Sequence, residues 1–341
     1  MGQIEKWFAE NKREFPWREN RTPYRVWISE VMLQQTRASV VIPYFLRWME
    51  AFPDVKALYN ARIEEVIKAW EGLGYYSRAR NLHRAAKQIV EDFGGVIPGE
   101  RSELMSIYGF GPYTVGAILS FAFHKRAPAV DGNVLRVVSR YFCIEENVSQ
   151  TSTRRKIEEK AETILDAEEP WVTSEALIEL GATVCVAKPR CEICPLQQEC
   201  LGRKRGLAEN LPIKNVEKSV VDLFRGVFIV EQDGFVLVKK GEEGRVMAGL
   251  YEFPYIEIAK RENIYKEARK MFGEGPLTRL TPCTHTFTRY KAHLFPYWIK
   301  VDPSLQIAGF EWVEISQLSS LPFSSGHRKV LAEVEKIYAH R

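Results

Sequence analysis

No apolar run in the sequence approaches the roughly 18 to 20 residues that a membrane-spanning helix needs, which excludes a helical membrane protein. The opening MGQIEKWFAEN has no apolar h-region, and Lys6 stands where N-myristoylation takes Ser or Thr, so a cytoplasmic protein is expected. Strong charge of either sign is also missing. With 48 basic and 44 acidic residues the net charge is +4, too small a bias to argue for nucleic acid by itself. Internal repeats and low-complexity tracts are absent, which removes solenoids and wholesale disorder. Cysteine is scarce, six in 341 residues, yet Cys185, Cys191, Cys194 and Cys200 crowd into one short segment while Cys143 and Cys283 stand apart. In a chain without a secretory signal, such clustering favours a metal group over disulfides.

A length of 341 residues suits about two domains. From residue 1 to about 202 the pattern is helical: Val66, Ile67 and Trp70, then Leu82, Ala85, Ala86 and Ile89, then Val134, Val137, Val138 and Tyr141 recur at three- and four-residue spacing. Periodicity fades over 203–219, which reads as an interdomain linker. From 220 to 341 the text is mixed α and β. Two β-rich runs flank Asp233-Gly234, further short runs lie at 284–301 and 309–313, and helical signals return at 263–272 and 324–340.

Gly109-Phe110-Gly111, followed by Pro112, reads as a tight hairpin between two helices. The free amides of such a corner can hold a phosphate, though a plain helix–helix turn has the same text. Asp131 precedes an amphipathic helix, where it can serve simply as the N-cap. Glu30, on a mostly apolar helix, can be a charge at the edge of the packed face. Neither carboxylate alone identifies a site.

Together they do, because six strings occur in order: FPWR (15–18), WISEVMLQQT (27–36), WEGLGYYSRARNLH (70–83), GFGPYTVGAI (109–118), VDGNVLRV (130–137) and EALIELGATVC (175–185). In these the first domain resembles the helix-hairpin-helix DNA glycosylase superfamily, and within it the MutY-type adenine DNA glycosylases. The resemblance implies a multidomain protein. Residues 1–202 would form an all-α, two-lobed helix-hairpin-helix glycosylase domain with a 4Fe-4S loop at 185–200, and residues 220–341 an α+β nudix-like domain that reads 8-oxoguanine.

The implied activity is monofunctional excision of adenine mispaired with 8-oxoguanine or guanine, acting as a monomer on double-stranded DNA and, in a bacterium, at the nucleoid. Breaking the bond to adenine requires a proton for the leaving base and negative charge beside the sugar cation, a task for two carboxylates. The resemblance assigns Glu30 to protonate N7 and Asp131 to stabilise C1′, with Tyr113 and Asn133 orienting them. It places Trp17, Arg18, Leu33 and Glu175 near the adenine pocket, Gln35 and Tyr75 as wedges that fill the stack, and Gly109 and Gly111 in the DNA-binding hairpin.

The cysteines read CX5CX2CX5C, one residue shorter in the first interval than the family's CX6CX2CX5C, and the resemblance makes them ligands of a 4Fe-4S cluster. Lys188, Arg190, Arg203, Lys204 and Arg205 surround them, as a loop facing phosphates or a solvated basic face would be. In the second domain GRVMAGLYEFP (244–254) carries the resemblance. Its lesion-sensing loop has Phe287, Thr288 and Arg289 where the family has Phe-Ser-His; Thr keeps the hydroxyl, whereas Arg can only donate.

Three other readings are opposed by particular residues. A glycosylase with lyase activity needs a Schiff-base lysine at Tyr113. A nudix pyrophosphohydrolase needs a run of glutamates where NIYKEARKMFG has only Glu267. A non-catalytic DNA-binding protein needs neither carboxylate.

Overall fold

The computed structural model describes residues 2–215, 220–242, 247–258, 264–287, 289–301, 305 and 307–339. Contacts divide the chain into two compact units, Met1–Asn60 with Asn81–Glu217, and Ala61–Arg80 with Lys218–Arg341. This differs from boundaries at 202 and 220 in two places. Residues 61–80, helical in the sequence pattern, group with the C-terminal unit because Lys68, Glu71, Tyr76 and Arg80 all hydrogen bond to residues between 248 and 323. Much of the expected linker is packed onto the helical unit: Leu211 is buried, its carbonyl accepts from Arg140 Nε at 2.9 Å, and Val148 N donates to Ile213 O at 3.0 Å. Residues 216–219 of that linker lie outside the described residues.

In the helical unit, Gln3–Asn11, Gly132–Tyr141, Thr151–Thr163 and Pro170–Thr183 pack around Ile4, Phe8, Val134, Val137, Val138, Ile157, Leu177 and Leu180. The spacing of Val134, Val137 and Val138 puts all three on one helix face, and their burial is what holds Asp131 at the head of that helix against its neighbours. A second group of helices includes Pro23–Leu33, Ala38–Ala51 and Pro112–Ala117, the last continuing as a π-helical turn over Ile118–Ala122. Thr22 caps the first of these by accepting from Arg25 N at 3.3 Å. The hairpin expected at 109–111 joins the helix Arg101–Ser106 to Pro112–Ala117, with Gly109 at φ +78° and Pro112 opening the second helix.

The C-terminal unit holds a mixed sheet of β1 (Val221–Gln232), β2 (Phe235–Lys240), β3 (Tyr251–Glu252), β4 (Tyr255–Glu257), β5 (Leu277–Arg279), β6 (Cys283–Phe287), β7 (Tyr290–Lys300) and β8 (Glu311–Glu314). β1 and β7 run parallel in register from Val221↔Tyr290 to Glu231↔Lys300, and the remaining pairings are antiparallel. Both faces of the sheet are covered, which is why β1 carries an unbroken apolar run instead of an alternating one. Val227 and Ile229 face a cluster with Val330, Leu331 and Val334 of the helix Ser325–Ala339, while Phe228 and Val230 face Ile264, Ala268 and Phe272 of the helix Ile264–Phe272. The expected β1–β2 turn is present, with Asp233 at φ +48° and Gly234 at +83°. Among the described residues no helix is long and apolar enough to cross a membrane.

Candidate active site and cysteine loop

A cleft of about 1780 Å³ in the helical unit is lined by Trp17, Arg18, Glu30, Leu33, Gln35, Tyr113, Asp131, Asn133 and Glu175, all of them singled out in the sequence. Glu30 is 7% exposed near the C-terminal end of its helix, and Tyr113 Oη, one residue into the helix after the glycine hairpin, donates a short hydrogen bond to its Oε2. Burial pushes the Glu30 carboxyl up to about 7; the Tyr113 bond and Arg18 pull it down, and the negative charges of Asp131 and Glu175 push it further up. Tyr113 is itself held well above the usual phenol range by burial and by the two carboxylates, so its proton stays on oxygen.

Asp131 is the N-cap of the helix Gly132–Tyr141. Its Oδ1 accepts from Asn133 N and Val134 N, each at 2.8 Å, and its Oδ2 accepts from Asn133 Nδ2 at 2.7 Å. Burial raises this carboxyl too, against the three bonds that favour the anion. Capping and orientation are thus served by the same bonds. The network continues outward: Arg136 Nη2 donates to Asn133 Oδ1 at 2.9 Å, and Arg136 Nε donates to Cys185 O at 2.7 Å. Gly181 is where the helix Pro170–Thr183 passes this group, since a Cβ there would stand 2.6 Å from Asn133 Cβ.

Sequence reasoning missed the ion pairs beside the pocket. Arg18 bridges Glu175 at 3.2 Å and Glu179 at 3.0 Å, Arg13 reaches Glu179 at 2.5 Å, and Arg21 reaches Glu175 at 2.7 Å. Glu179 is 1% exposed. The available signal was two glutamates four apart on an otherwise apolar helix, a spacing that places both on one face.

Gln35, on the wall of this cleft, is exposed with its backbone in the left-handed region (φ +57°). Other expected site residues lie elsewhere: Gly109 and Gly111 form the hairpin without lining the cleft. Tyr75 (φ +49°, 46% exposed) and Phe287 belong to the C-terminal unit. There Arg289 donates to Tyr290 Oη at 3.1 Å, and Thr288 lies outside the described residues.

Cys185, Cys191, Cys194 and Cys200 line one small cavity with Arg140 and Arg203. Arg140 binds this loop at several points: it donates to Cys185 Sγ at 3.3 Å, to Val186 O at 2.6 Å and to Ala187 O at 2.9 Å. Burial raises the thiols of Cys191, Cys194 and Cys200, Cys194 to about 11, and the nearness of the other cysteines adds to it. Such thiols ionise only against a cation. Among the described residues no three metal-ligating side chains converge on a point that would hold a single metal ion. Four cysteine thiols lining one cavity are the donor set that a polynuclear metal group, taking one thiolate per metal, requires.

Comparisons with known proteins match both parts of the chain. Residues 28–165 match the HhH-GPD superfamily of base excision DNA repair proteins, and residues 226–333 match the NUDIX domain. The adenine DNA glycosylase of Buchnera aphidicola (subspecies Acyrthosiphon pisum) is 31% identical over 297 residues, which cover 86% of this chain and 85% of that protein. The human adenine DNA glycosylase is 30% identical, covering 96% and 72% of the two chains. Among solved structures, a thermostable thymine-DNA glycosylase superposes with a TM-score of 0.55 at 28% identity, and an endonuclease III–DNA covalent intermediate with 0.52 at 26%; each match covers 60% of this chain and 94% of the other. Endonuclease III is bound to DNA in that structure. The six motifs, the two matched domains and the relatives point to one assignment: the chain belongs to the adenine DNA glycosylases.

Proposed function

We propose that the chain excises adenine paired with 8-oxoguanine or guanine from duplex DNA, as a monomer, with Glu30 as the proton donor and Asp131 as the stabilising carboxylate. The observation that carries this reading is the pair of differently held carboxyls in one cleft. Tyr113 donates to Glu30 Oε2 while the raised affinity near 7 keeps a proton available on Glu30 at neutral pH. Asp131 is surrounded by three N–H donors that favour its anion.

Glu30 gives its proton to N7 of the extruded adenine, so the base leaves neutral as the C1′–N9 bond breaks. The electron-poor C1′ develops beside Asp131, whose charge offsets it. Water then adds at C1′ and returns its proton to the Glu30 carboxylate, which restores the starting state. With Tyr113 supplying a phenol where a lyase needs an amine, no Schiff base forms and the strand is left intact. Arg37, Arg154 and Lys214 line the same cleft and give the negatively charged backbone cationic partners.

The cysteine loop fits a 4Fe-4S cluster held by Cys185, Cys191, Cys194 and Cys200, which would fix the loop and its basic side chains; iron at about four atoms per chain supports it, and zinc in its place overturns it. For the activity, duplexes with adenine opposite 8-oxoguanine, guanine, cytosine or thymine are incubated with enzyme and then treated with alkali. Cleavage at adenine opposite the first two, and only after alkali, is expected. Strand breaks without alkali, or no preference among partners, would overturn the reading. Deleting residues 220–341 tests the C-terminal unit: the excision ratio for 8-oxoguanine over guanine should fall, and an unchanged ratio removes that unit from lesion reading.

A further inference from the structure

The turn that carries Tyr75 is unusual in its backbone. Gly72 (φ +102°), Gly74 (+72°) and Tyr75 (+49°) all occupy the left-handed region, which a non-glycine residue such as Tyr75 enters only when its surroundings impose it. Bonds within the turn contribute: Trp70 Nε1 donates to Gly74 O at 3.0 Å, and Arg78 Nη2 donates to Leu73 O and Gly74 O at 3.1 Å each. The remaining anchors come from 319–328. Glu71 Oε1 accepts from Phe323 N at 2.9 Å and from Arg328 Nε at 2.7 Å, its Oε2 accepts from Lys68 Nζ at 2.8 Å, and Lys68 Nζ also donates to Ser319 O at 2.6 Å.

Glu71 is therefore a hub, 14% exposed, four residues before Tyr75 and next to the first left-handed glycine. Its main partner sits on rigid ground. Arg328 belongs to the helix Ser325–Ala339, whose Val330, Leu331 and Val334 are fixed in the sheet core, and Arg328 Nη2 also donates to Leu321 O at 2.5 Å. Arg80 Nη1 donating to Ala248 O at 2.7 Å and Lys240 paired with Glu64 at 3.1 Å tie the two ends of the 61–80 segment to the same unit. The Tyr75 ring remains half exposed at the end of this turn.

We propose that Glu71 and Arg328 form a latch through which the C-terminal unit sets the position of Tyr75, making both of them positioning residues for base extrusion. The proposal rests on Tyr75 acting as a wedge, and it supplies a physical link by which the unit that reads the partner base acts on the residue that opens the stack.

The test uses the full chain and a duplex with adenine opposite 8-oxoguanine and 2-aminopurine beside that adenine, whose fluorescence rises as its neighbour leaves the stack. Glu71→Gln keeps an acceptor for Phe323 N but loses the charge that holds Arg328; Arg328→Ala removes the other half. Each is expected to lower the fluorescence gain at saturating enzyme by about fivefold, with the double variant no worse than the weaker single, as for one shared interaction. Arg328→Lys, which keeps a cation near Glu71, should recover part of the gain, a rescue that general loosening of the fold would not give. Tyr75→Ala should abolish the gain. If Tyr75→Ala abolishes it while both latch variants retain it, or if the two latch variants add, the latch is overturned. If Tyr75→Ala itself retains the gain, the wedge reading fails and the latch fails with it.

Discussion

Glu30 in the helical unit and His327 in the C-terminal unit are both buried, and the same force acts on both with opposite outcomes. Burial drives Glu30 of the helical unit up to about 7, and it drives His327 of the C-terminal unit down to about 3. His327 is thereby neutral near pH 7, and Glu30 keeps its proton up to about that pH. For a carboxyl, neutral means that a proton is present and can be given away; for an imidazole it means that the second proton is gone. Their partners fit this division. Tyr113 donates to Glu30 and leaves the acid's own proton free for a substrate, whereas His327 Nδ1 accepts from Phe253 N at 3.0 Å and fastens the helix Ser325–Ala339 to the sheet.

The sharpest way to break this contrast is Glu30→Gln, which should bind duplex but lose excision by about 10³-fold in single turnover, the scale of a lost general acid. In the parent, excision should decline on the alkaline side with a midpoint close to 7, as the required proton is lost. The same substitution should stabilise the fold. In the unfolded chain this carboxyl ionises near 4.5 and in the folded chain near 7, so between those values the folded state binds the extra proton and loses stability as pH rises. At pH 8 the variant should melt higher by several degrees (~5 °C), and at pH 4 the difference should vanish. A lower melting temperature at pH 8 would show that the carboxylate is not penalised by burial.

Asp131→Asn comes next in size. Asparagine is as good an N-cap, so stability should hardly change, while removal of the charge beside C1′ should cost excision about 10²-fold. Single-turnover rates within a few-fold of the parent would take Asp131 out of the chemistry. The smallest effect is spectroscopic. The His327 ring protons should show no titration by NMR between pH 5 and 8, and a midpoint near the ordinary 6.5 would erase the contrast between the units.

Legibility from sequence followed the range of the interactions involved. Glu30, Tyr113, Asp131 and Asn133 stand in short ordered strings, and the bonds that Asp131 accepts from Asn133 and Val134 are local, spanning two and three residues. The helix periodicity of Val134, Val137 and Val138 and the Asp233-Gly234 turn are local as well, and both are present. What escaped depends on partners far away along the chain. Arg13 and Glu179 are 166 residues apart, and no spacing rule links them. The attachment of 61–80 to the C-terminal unit escaped for the same reason, because an amphipathic helix announces that it packs without saying on what. β3, β4 and β5, at two or three residues each, offer too few positions for alternation to show.

Gly132 and Gly181 both lie against Asn133, one by sequence and the other through space, and they differ in what evolution can do with them. A Cβ at 132 would meet nothing within 4 Å, whereas one at 181 would intrude on Asn133 at 2.6 Å and on its carbonyl oxygen at 2.9 Å. Mutational drift is therefore open to small residues immediately beside Asp131 and closed fifty residues downstream, where no chemistry takes place. In a saturation library selected for repair, alanine should survive at 132 and be purged at 181, a pattern in which distance from the reacting atoms along the chain is a poor guide to tolerance.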